Sequence, residues 1–474
     1  MESKIIQEIR SIAGHDHVHD TKQYLFAYSY DSTPLYRAMP DLVVQPASKE
    51  EIAAIVKVAN KERIPIVSRG SGTNLSGGTV PVQGGIVLHL NRLNRLQEID
   101  SDNLTATFQP GLITAELHLQ VEAVGLFYPP DPGSMHISTL GGNVAECAGG
   151  MRGLKYGVTK DYVMGIEAVL PSGDIVRFGG KNAKDVAGYD ITRLLVGSEG
   201  TLAVITEIIA KLLPLPEAKQ TLVAYFRNMV DAAKAVSMVI AAKIIPATME
   251  FLDQKTMKVV EDFAHINLPL EMKAMLIIQQ DGTELQVEHD IEMIAKICEQ
   301  SGAAMIEHAQ SMEQGDRLMT ARRTALSALA RVKPTTILED ATVPRARLAQ
   351  MVERINVIAD RYHVDICTFG HAGDGNLHPT CLTDERDQEE ISRVEQAFEE
   401  IFHAAIQLGG TITGEHGVGL SKAKYLDLKL GESGVELMKR VKQAFDPLGI
   451  MNPGKIFAKS SRRRVVIGQH ESAI

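Results

Sequence analysis

Residues 68–78 read Ser-Arg-Gly-Ser-Gly-Thr-Asn-Leu-Ser-Gly-Gly and follow a short apolar run, Ile64-Pro65-Ile66-Val67, that reads as a strand ending at the loop. Four glycines in eleven residues free the backbone to take positive φ, and Ser71, Thr73, Asn74 and Ser76 add small hydrogen-bonding groups. Such a loop can turn several N–H groups toward one anion, as a pyrophosphate requires. It is not a Rossmann fingerprint. Leu75 stands at the third position after Gly72, the chain continues Gly77-Gly78-Thr79-Val80-Pro81 without helical pattern, and no Walker lysine follows. A dinucleotide cradle belonging to another fold and a glycine-rich surface turn both fit these residues.

The remaining composition sets limits. At 474 residues, 45% hydrophobic and 23% charged, the chain has the makeup of a soluble globular enzyme of two or three domains. A net charge of −10 argues against nucleic acid and against an anionic membrane surface as main partner, and Arg462-Arg463-Arg464 reads as a solvated tail. Cys147, Cys298, Cys367 and Cys381 include no C-x-x-C pair, which fits a reducing compartment and offers no disulfide framework or iron–sulfur site. Residues 1–20 lack the apolar centre of a signal peptide and no apolar run is long enough for a transmembrane segment, so a cytoplasmic location is expected.

Along the chain, Ser48-Lys49-Glu50-Glu51 is a capping box for a helix reaching about Lys61, and strands are expected at 86–90 and 105–109. Helical spacing covers 114–124, whereas 128–157 shows little helix or strand periodicity. A hairpin spans 162–178, a short helix 190–196 and a strand 201–213, with Pro214 and Pro216 marking a domain boundary. Beyond it, strands at 222–226, 247–252 and 273–280 alternate with helices at 231–242 and 284–299, an order resembling a ferredoxin-like α+β unit. Further helices are expected at 315–331, 344–362 and 388–408.

Two loops in the second half carry concentrated chemistry. Residues 369–378, FGHAGDGNLH, place His371 and His378 at the two ends of a tight turn; residues 409–419, GGTITGEHGVG, offer Glu415 and His416 on a glycine-flexed backbone. His371, His378 and Glu415 together make the two-histidine, one-carboxylate composition of catalytic zinc sites and some iron sites. Each histidine pairing within its own turn is the plainer reading of either loop alone.

The series SRGSGT (68–73), PPDPGS (129–134), GGNVAECAGGMRGLKYGVTKDYV (141–163) and RLLVGSEGTLAVITE (193–207) resembles the flavin-binding domain of the vanillyl-alcohol oxidase/p-cresol methylhydroxylase (PCMH) superfamily. With HAGDGNLH, TGEHGVG (413–419) and IMNPGKIF (450–457), the second half looks like the FAD-linked 2-hydroxyacid dehydrogenases, of glycolate oxidase subunit, D-lactate dehydrogenase and D-2-hydroxyglutarate dehydrogenase type. The resemblance runs from about Asp41 to Phe457, motif after motif in family order. It implies an α+β protein: an N-terminal helical segment (1–40), a PCMH-type FAD-binding domain of two α+β subdomains (41–216), a ferredoxin-like substrate and metal-binding cap (217–420), and a C-terminal helical segment completing the FAD site (421–474).

Carried over residue by residue, the resemblance assigns Arg69, Gly70, Ser71, Gly72, Thr73 and Asn74 to the FAD pyrophosphate. Pro132, Gly133, Ser134, Thr139, Gly142, Asn143 and Ala145 would line the diphosphate and flavin path, Gly149, Gly150, Tyr156 and Gly157 would lie near the isoalloxazine, and Glu199, Gly200 and Ile205 near the adenosine. Asn452 would reach back to the flavin. It further implies a divalent metal (zinc, manganese or iron) on His371, His378 and Glu415, with His416 as base. Arg322 stands where relatives keep an arginine for the substrate carboxylate; a solvated helix face, with Arg323 beside it, is the alternative. Ser71 replaces the histidine of members with covalent flavin, so dissociable FAD is expected. Cys147 stands where many relatives have asparagine, Met319 replaces a usual tryptophan, and Leu338 replaces the lysine of hydroxyglutarate-type enzymes, which favours a short monocarboxylate over a dicarboxylate.

The implied activity is FAD-dependent oxidation of D-lactate or glycolate to the 2-oxo acid, with hydride transfer to flavin N5, metal assistance and a histidine base. An acceptor protein, a quinone or partner subunits of a glycolate oxidase complex would take the electrons. Two other readings stand beside it: a metal-dependent hydrolase with a vestigial nucleotide domain, and a non-catalytic FAD subunit whose partner oxidises the substrate. The full set of metal and base residues argues against the latter.

Overall fold

Ser48 starts the first long helix, Lys49–Glu62: its hydroxyl accepts the Glu51 N–H at 3.1 Å, while the Glu51 carboxylate takes the N–H of Ala47 at 2.7 Å. The helix ends at Arg63 in the left-handed conformation, φ 55°, and the chain turns directly into the strand Ile66–Arg69. In this computed structural model, which describes residues 1–457, that strand lies parallel to Ile86–His89 in a sheet ordered Val18–His19, Leu42–Val44, Ile86–His89, Ile66–Arg69. Arg462–Arg464 lie outside the described residues.

The helix drives Ile52, Ile55 and Val56 onto this sheet, where they meet Leu42, Val44, Ile66, Ile86 and Leu88 in one fully buried cluster. Ile450 and Met451 belong to the same cluster. The returning chain pairs with the strand before the glycine loop: Ile66 N–H donates to Ile450 O and Asn452 N–H donates to Ile66 O, each at 2.7 Å. A second, antiparallel sheet orders Leu96–Asp100, Thr105–Phe108, Val204–Lys211, Val163–Val169 and Ile175–Gly179. Both sheets are open. They belong to one compact unit built from Met1–Ala148, Val158–Leu215 and the described part of the chain from Glu415 onward.

The second unit comprises Gly149–Gly157 and Pro216–Gly414. Its sheet begins Ala303–His308, Ala218–Phe226, Ala274–Gly282, Thr248–Asp253, with antiparallel neighbours. Number these four strands in chain order and the sheet reads 4-1-3-2, the ferredoxin-like arrangement in which two β-α-β units each enclose a strand of the other. Ile366–His371, Asn376–Thr383 and Thr335–Leu338 extend the sheet beyond Thr248–Asp253.

Several elements depart from the sequence expectation. The aperiodic stretch 128–157 contains two short helices, Leu140–Glu146 and Gly153–Tyr156. Gly141 and Gly142 hide the first by their low helix propensity, and Thr139 starts it by accepting the Gly142 N–H. The helix expected at 315–331 is two, Met312–Arg323 and Ala325–Leu329, divided at Thr324, whose hydroxyl bonds back to Ala321 O at 2.8 Å. The helix Gln254–Ala264, capped by Asp253, and the partly exposed edge strand Ala303–His308 lie outside the elements expected above. Among the described residues no helix is long and apolar enough to cross a membrane.

Candidate functional site

In the first unit, the glycine loop and the stretch around Pro132–Ala145 are drawn together by direct contacts. A side-chain carbon on Gly70 would lie 2.1 Å from Thr139 Oγ1, so only glycine lets the loop approach this closely. The Ser71 hydroxyl donates to Ile137 O. Asn143 donates to Thr114 Oγ1 at 2.7 Å, fixing the helix Leu140–Glu146 from beneath. Gly72, at φ 71°, folds back on Arg69, and its carbonyl accepts the N–H of Ser32. The Arg69 guanidinium is turned inward to Tyr30 O at 2.7 Å, and Asn74 donates to Asp31 at 2.9 Å. The side chains of Arg69 and Asn74 thus brace the loop, which leaves its backbone to meet a ligand.

The remaining first-unit motifs join the same network. Gly197 N–H reaches Val144 O and Glu199 N–H reaches Ala145 O, at 2.9 and 2.8 Å. The Asn452 amide spans Gly78 O (2.8 Å) and Glu199 O (2.7 Å), tying the returning chain to the glycine loop. Ile205 is buried in the strand Val204–Lys211 opposite Ala168, and Gly200 adopts φ 66° beside Asn452. Gly133 faces open space where an added side-chain carbon would meet nothing within 4 Å. A glycine-walled backbone held open by buried side-chain staples suits an extended dinucleotide, so these residues fit FAD.

Behind the loop lies a buried charged group that sequence reading did not assemble. Glu199 accepts Val418 N–H at 2.7 Å and Gly419 N–H at 2.8 Å. Burial and the neighbouring Glu199 and Asp31 push the Glu146 carboxyl well above the usual carboxylate range, while burial pulls Lys455 down to about 8 against the attraction of Asp31, Glu199 and Glu146. Burial raises Glu199 as well, but its two N–H donors and Lys455 favour the charged form, whereas burial and its acidic neighbours hold the Glu146 carboxyl above the usual range. Cys147 ends the helix Leu140–Glu146 at φ 54°, ψ 50°, a left-handed cap that suits asparagine or glycine better than cysteine; burial raises its thiol.

The second unit holds the two-histidine turn. Ile366–His371 and Asn376–Thr383 form a hairpin that sets the rings of His371 and His378 perpendicular, 89° apart with centroids at 5.0 Å. Both are buried. The turn itself rests on the segment Gly149–Gly157: a side-chain carbon on Gly373 would lie 2.4 Å from Leu154, and one on Gly153 would lie 2.7 Å from Asp374. That segment is clamped by Asp281, which accepts Tyr156 Oη at 2.9 Å from each carboxylate oxygen and Lys155 Nζ. Gly149, Gly150, Tyr156 and Gly157, expected with the FAD domain at 41–216, thus pack with the unit that carries the histidines.

Asp340, fully buried, accepts Gly414 N–H at 2.6 Å and the Thr413 hydroxyl at 3.2 Å, and so fixes the backbone one peptide bond before Glu415. One side-chain donor atom from each of His371, His378 and Glu415 lies within 4.8 Å of the other two. Two imidazoles and a carboxylate are a donor set for a divalent transition metal, so the residues present fit one. His416 follows, buried, before Gly417 at φ 79°. Arg322, in contrast to the solvated alternative, is buried over the face of Phe369, with its carbon 4.7 Å from the ring centroid. Its Nη2 stands 2.7 Å from Glu250 Oε2 but points poorly toward it, and among the described residues Nε and Nη2 have no aligned acceptor. Leu338 is buried opposite Thr380, two positions beyond His378.

Residues 40–179 match the family described as "FAD binding domain" and residues 215–456 the one described as "FAD linked oxidases, C-terminal domain". The chain is 58% identical over 97% of its length to glycolate oxidase subunit GlcD of Bacillus subtilis, covering 98% of that protein. It is 35% identical to a D-lactate dehydrogenase of Anaerostipes hadrus, over 91% of this chain and 93% of that one. Its fold is shared with 4-ethylphenol oxidase from Gulosibacter chungangensis (TM-score 0.79, 20% identity, 98% of each chain) and with p-cresol methylhydroxylase (TM-score 0.78, 18% identity, 96% of each). With two family matches in chain order and relatives of this identity along nearly its whole length, the chain belongs to the FAD-linked oxidases and is an FAD-linked oxidoreductase.

Proposed function

We propose that the protein oxidises a short 2-hydroxy monocarboxylate, glycolate or D-lactate, to the 2-oxo acid. One observation carries the reading: Leu154 and Gly153, in the segment expected beside the flavin ring, pack directly on the turn that bears His371 and His378. Cofactor and substrate chemistry are thereby given a common support. The relatives named glycolate oxidase subunit and D-lactate dehydrogenase agree with it.

When bound, FAD would supply the hydride acceptor, and a divalent metal held by His371, His378 and Glu415 would supply Lewis acidity at the substrate hydroxyl. Among the described residues, Arg322 carries buried donors without aligned acceptors, the condition in which a carboxylate ligand is held by charge-assisted hydrogen bonds. His416 takes the hydroxyl proton as base. The apolar Leu338 offers no cation for a second carboxylate. Oxidising a hydroxy acid releases two electrons; the subunit names of the relatives favour a partner subunit or acceptor protein to collect them.

Anaerobic visible spectra of the purified protein test this directly. Loss of the flavin absorbance near 450 nm on adding glycolate or D-lactate is expected, with none for D-2-hydroxyglutarate at equal concentration. A flavin band unchanged by both monocarboxylates overturns the assignment.

A further inference from the structure

Glu250 is the one charged residue in the centre of the strand Thr248–Asp253, every position of which is buried, and it is itself fully enclosed. A lone carboxylate in such a place is costly to desolvate, and a well-packed apolar residue usually stabilises as well or better. Its partners therefore indicate its use. Glu250 lies directly opposite His371 in the strand register, and Oε1 stands 2.8 Å from His371 Nδ1. The other oxygen stands 2.7 Å from Arg322 Nη2. The neighbouring Met249 carbonyl accepts the N–H of Gly373, so the same strand also holds the backbone of the turn.

We propose that Glu250 is the positioning residue of this site: one carboxylate takes the Nδ1 proton of His371, presenting Nε2 to the metal, and with its second oxygen holds Arg322 toward the substrate. The inference rests on the metal reading above and deepens it. A carboxylate on the far nitrogen fixes the imidazole's tautomer and ring plane and raises its basicity toward a cation. The shared carboxylate also means that ring and guanidinium cannot be displaced independently. In sequence, Glu250 appears only as an interruption of an apolar strand, Ala247-Thr248-Met249-Glu250-Phe251-Leu252.

The test uses the full-length FAD-loaded protein, stripped with a chelator and dialysed against buffered Zn²⁺ or Mn²⁺, with bound metal measured by mass spectrometry. Wild type should bind one equivalent. Glu250→Gln should bind about 10- to 100-fold more weakly while keeping its flavin band, with a thermal transition lowered by the uncompensated Arg322 charge but still cooperative. Glu250→Asp, which keeps the charge but withdraws it from His371, should fall between them and carries the test if the Gln variant does not fold. Arg322→Lys should raise KM for the hydroxy acid and leave metal affinity within about threefold, which separates a role at His371 from simple neutralisation of the arginine. Wild type binding no metal overturns the metal reading, and this inference with it. Wild type binding metal with Glu250→Gln and Glu250→Asp equal to it overturns the positioning role alone.

Discussion

The carboxylate of Glu199 accepts the backbone N–H of Gly419 at 2.8 Å, a bond across 220 positions of sequence, and takes Val418 beside it at 2.7 Å. These residues follow His416 by two and three positions. On the other side of Glu415 and His416, Asp340 takes the N–H of Gly414. A loop rich in glycine, which has little conformational preference of its own, is thus pinned at both ends by buried carboxylates.

If His416 is the base, its position depends on this pinning. Glu199→Gln keeps one acceptor and loses the charge, and is expected to lower kcat about 10-fold; Glu199→Ala leaves two N–H groups unpaired and should lower it at least about 100-fold, the scale of a misplacement near 1 Å. Stopped-flow flavin reduction at saturating glycolate measures this, with FAD content checked in parallel. Full-rate reduction by Glu199→Ala would remove Glu199 from the positioning of the loop.

The Glu146 carboxyl leads to a stability prediction with a definite sign. Its pKa in the folded protein is raised above the ordinary 4.5, so the folded state keeps a proton that the unfolded state releases as pH rises. The native protein is therefore favoured below pH 4.5 by this group and loses that contribution as pH climbs toward the folded pKa. Glu146→Gln, with no proton to lose, should raise Tm by about 2 °C or more at pH 8 and by much less at pH 5. A gain independent of pH would show that the wild-type carboxyl does not hold a proton through this range.

How much of this was legible in the sequence depended on whether a residue's signal was local. The capping box at Ser48, the glycine loop and the two-histidine turn are readable because turn and cap chemistry lies within a few neighbouring residues. The division of the chain around Gly149–Gly157 is not: the segment belongs to the second unit because Asp281, more than a hundred positions away, binds Lys155 and Tyr156. Glu146, Glu199 and Lys455 likewise meet only after the C-terminal chain returns to Ile66. Glu250 was hidden for the opposite reason. A single glutamate in an apolar strand gives no motif, and its meaning lies in the residue across the sheet.

Cys147 occupies a left-handed cap that costs a side-chain-bearing residue about 1–2 kcal/mol, a cost asparagine offsets by local hydrogen bonding. Cys147→Asn is expected to raise Tm by about 2 °C without changing the flavin spectrum. Calorimetry of the FAD-loaded protein decides it. A lower Tm would mean that the packing of the thiol in its half-buried place outweighs the backbone preference.

The approach of Gly70 to Thr139 gives the most specific test of the dinucleotide cradle. Gly70→Ala places a methyl 2.1 Å from Thr139 Oγ1, well inside contact distance, with no room on the helix side because Thr139 also caps Leu140–Glu146. The loop must move away, and the expected outcome is an FAD dissociation constant raised about 10- to 100-fold, read by flavin fluorescence on titrating the apoprotein. Thr139→Ala alone removes the cap and should cost about 1 kcal/mol of stability with a smaller loss of FAD. In the double variant the clashing oxygen is gone, so the two losses should be clearly less than additive, the signature of residues in direct contact. Additive losses would mean that the loop and the helix start bind FAD independently, and that their contact has no part in forming the cradle.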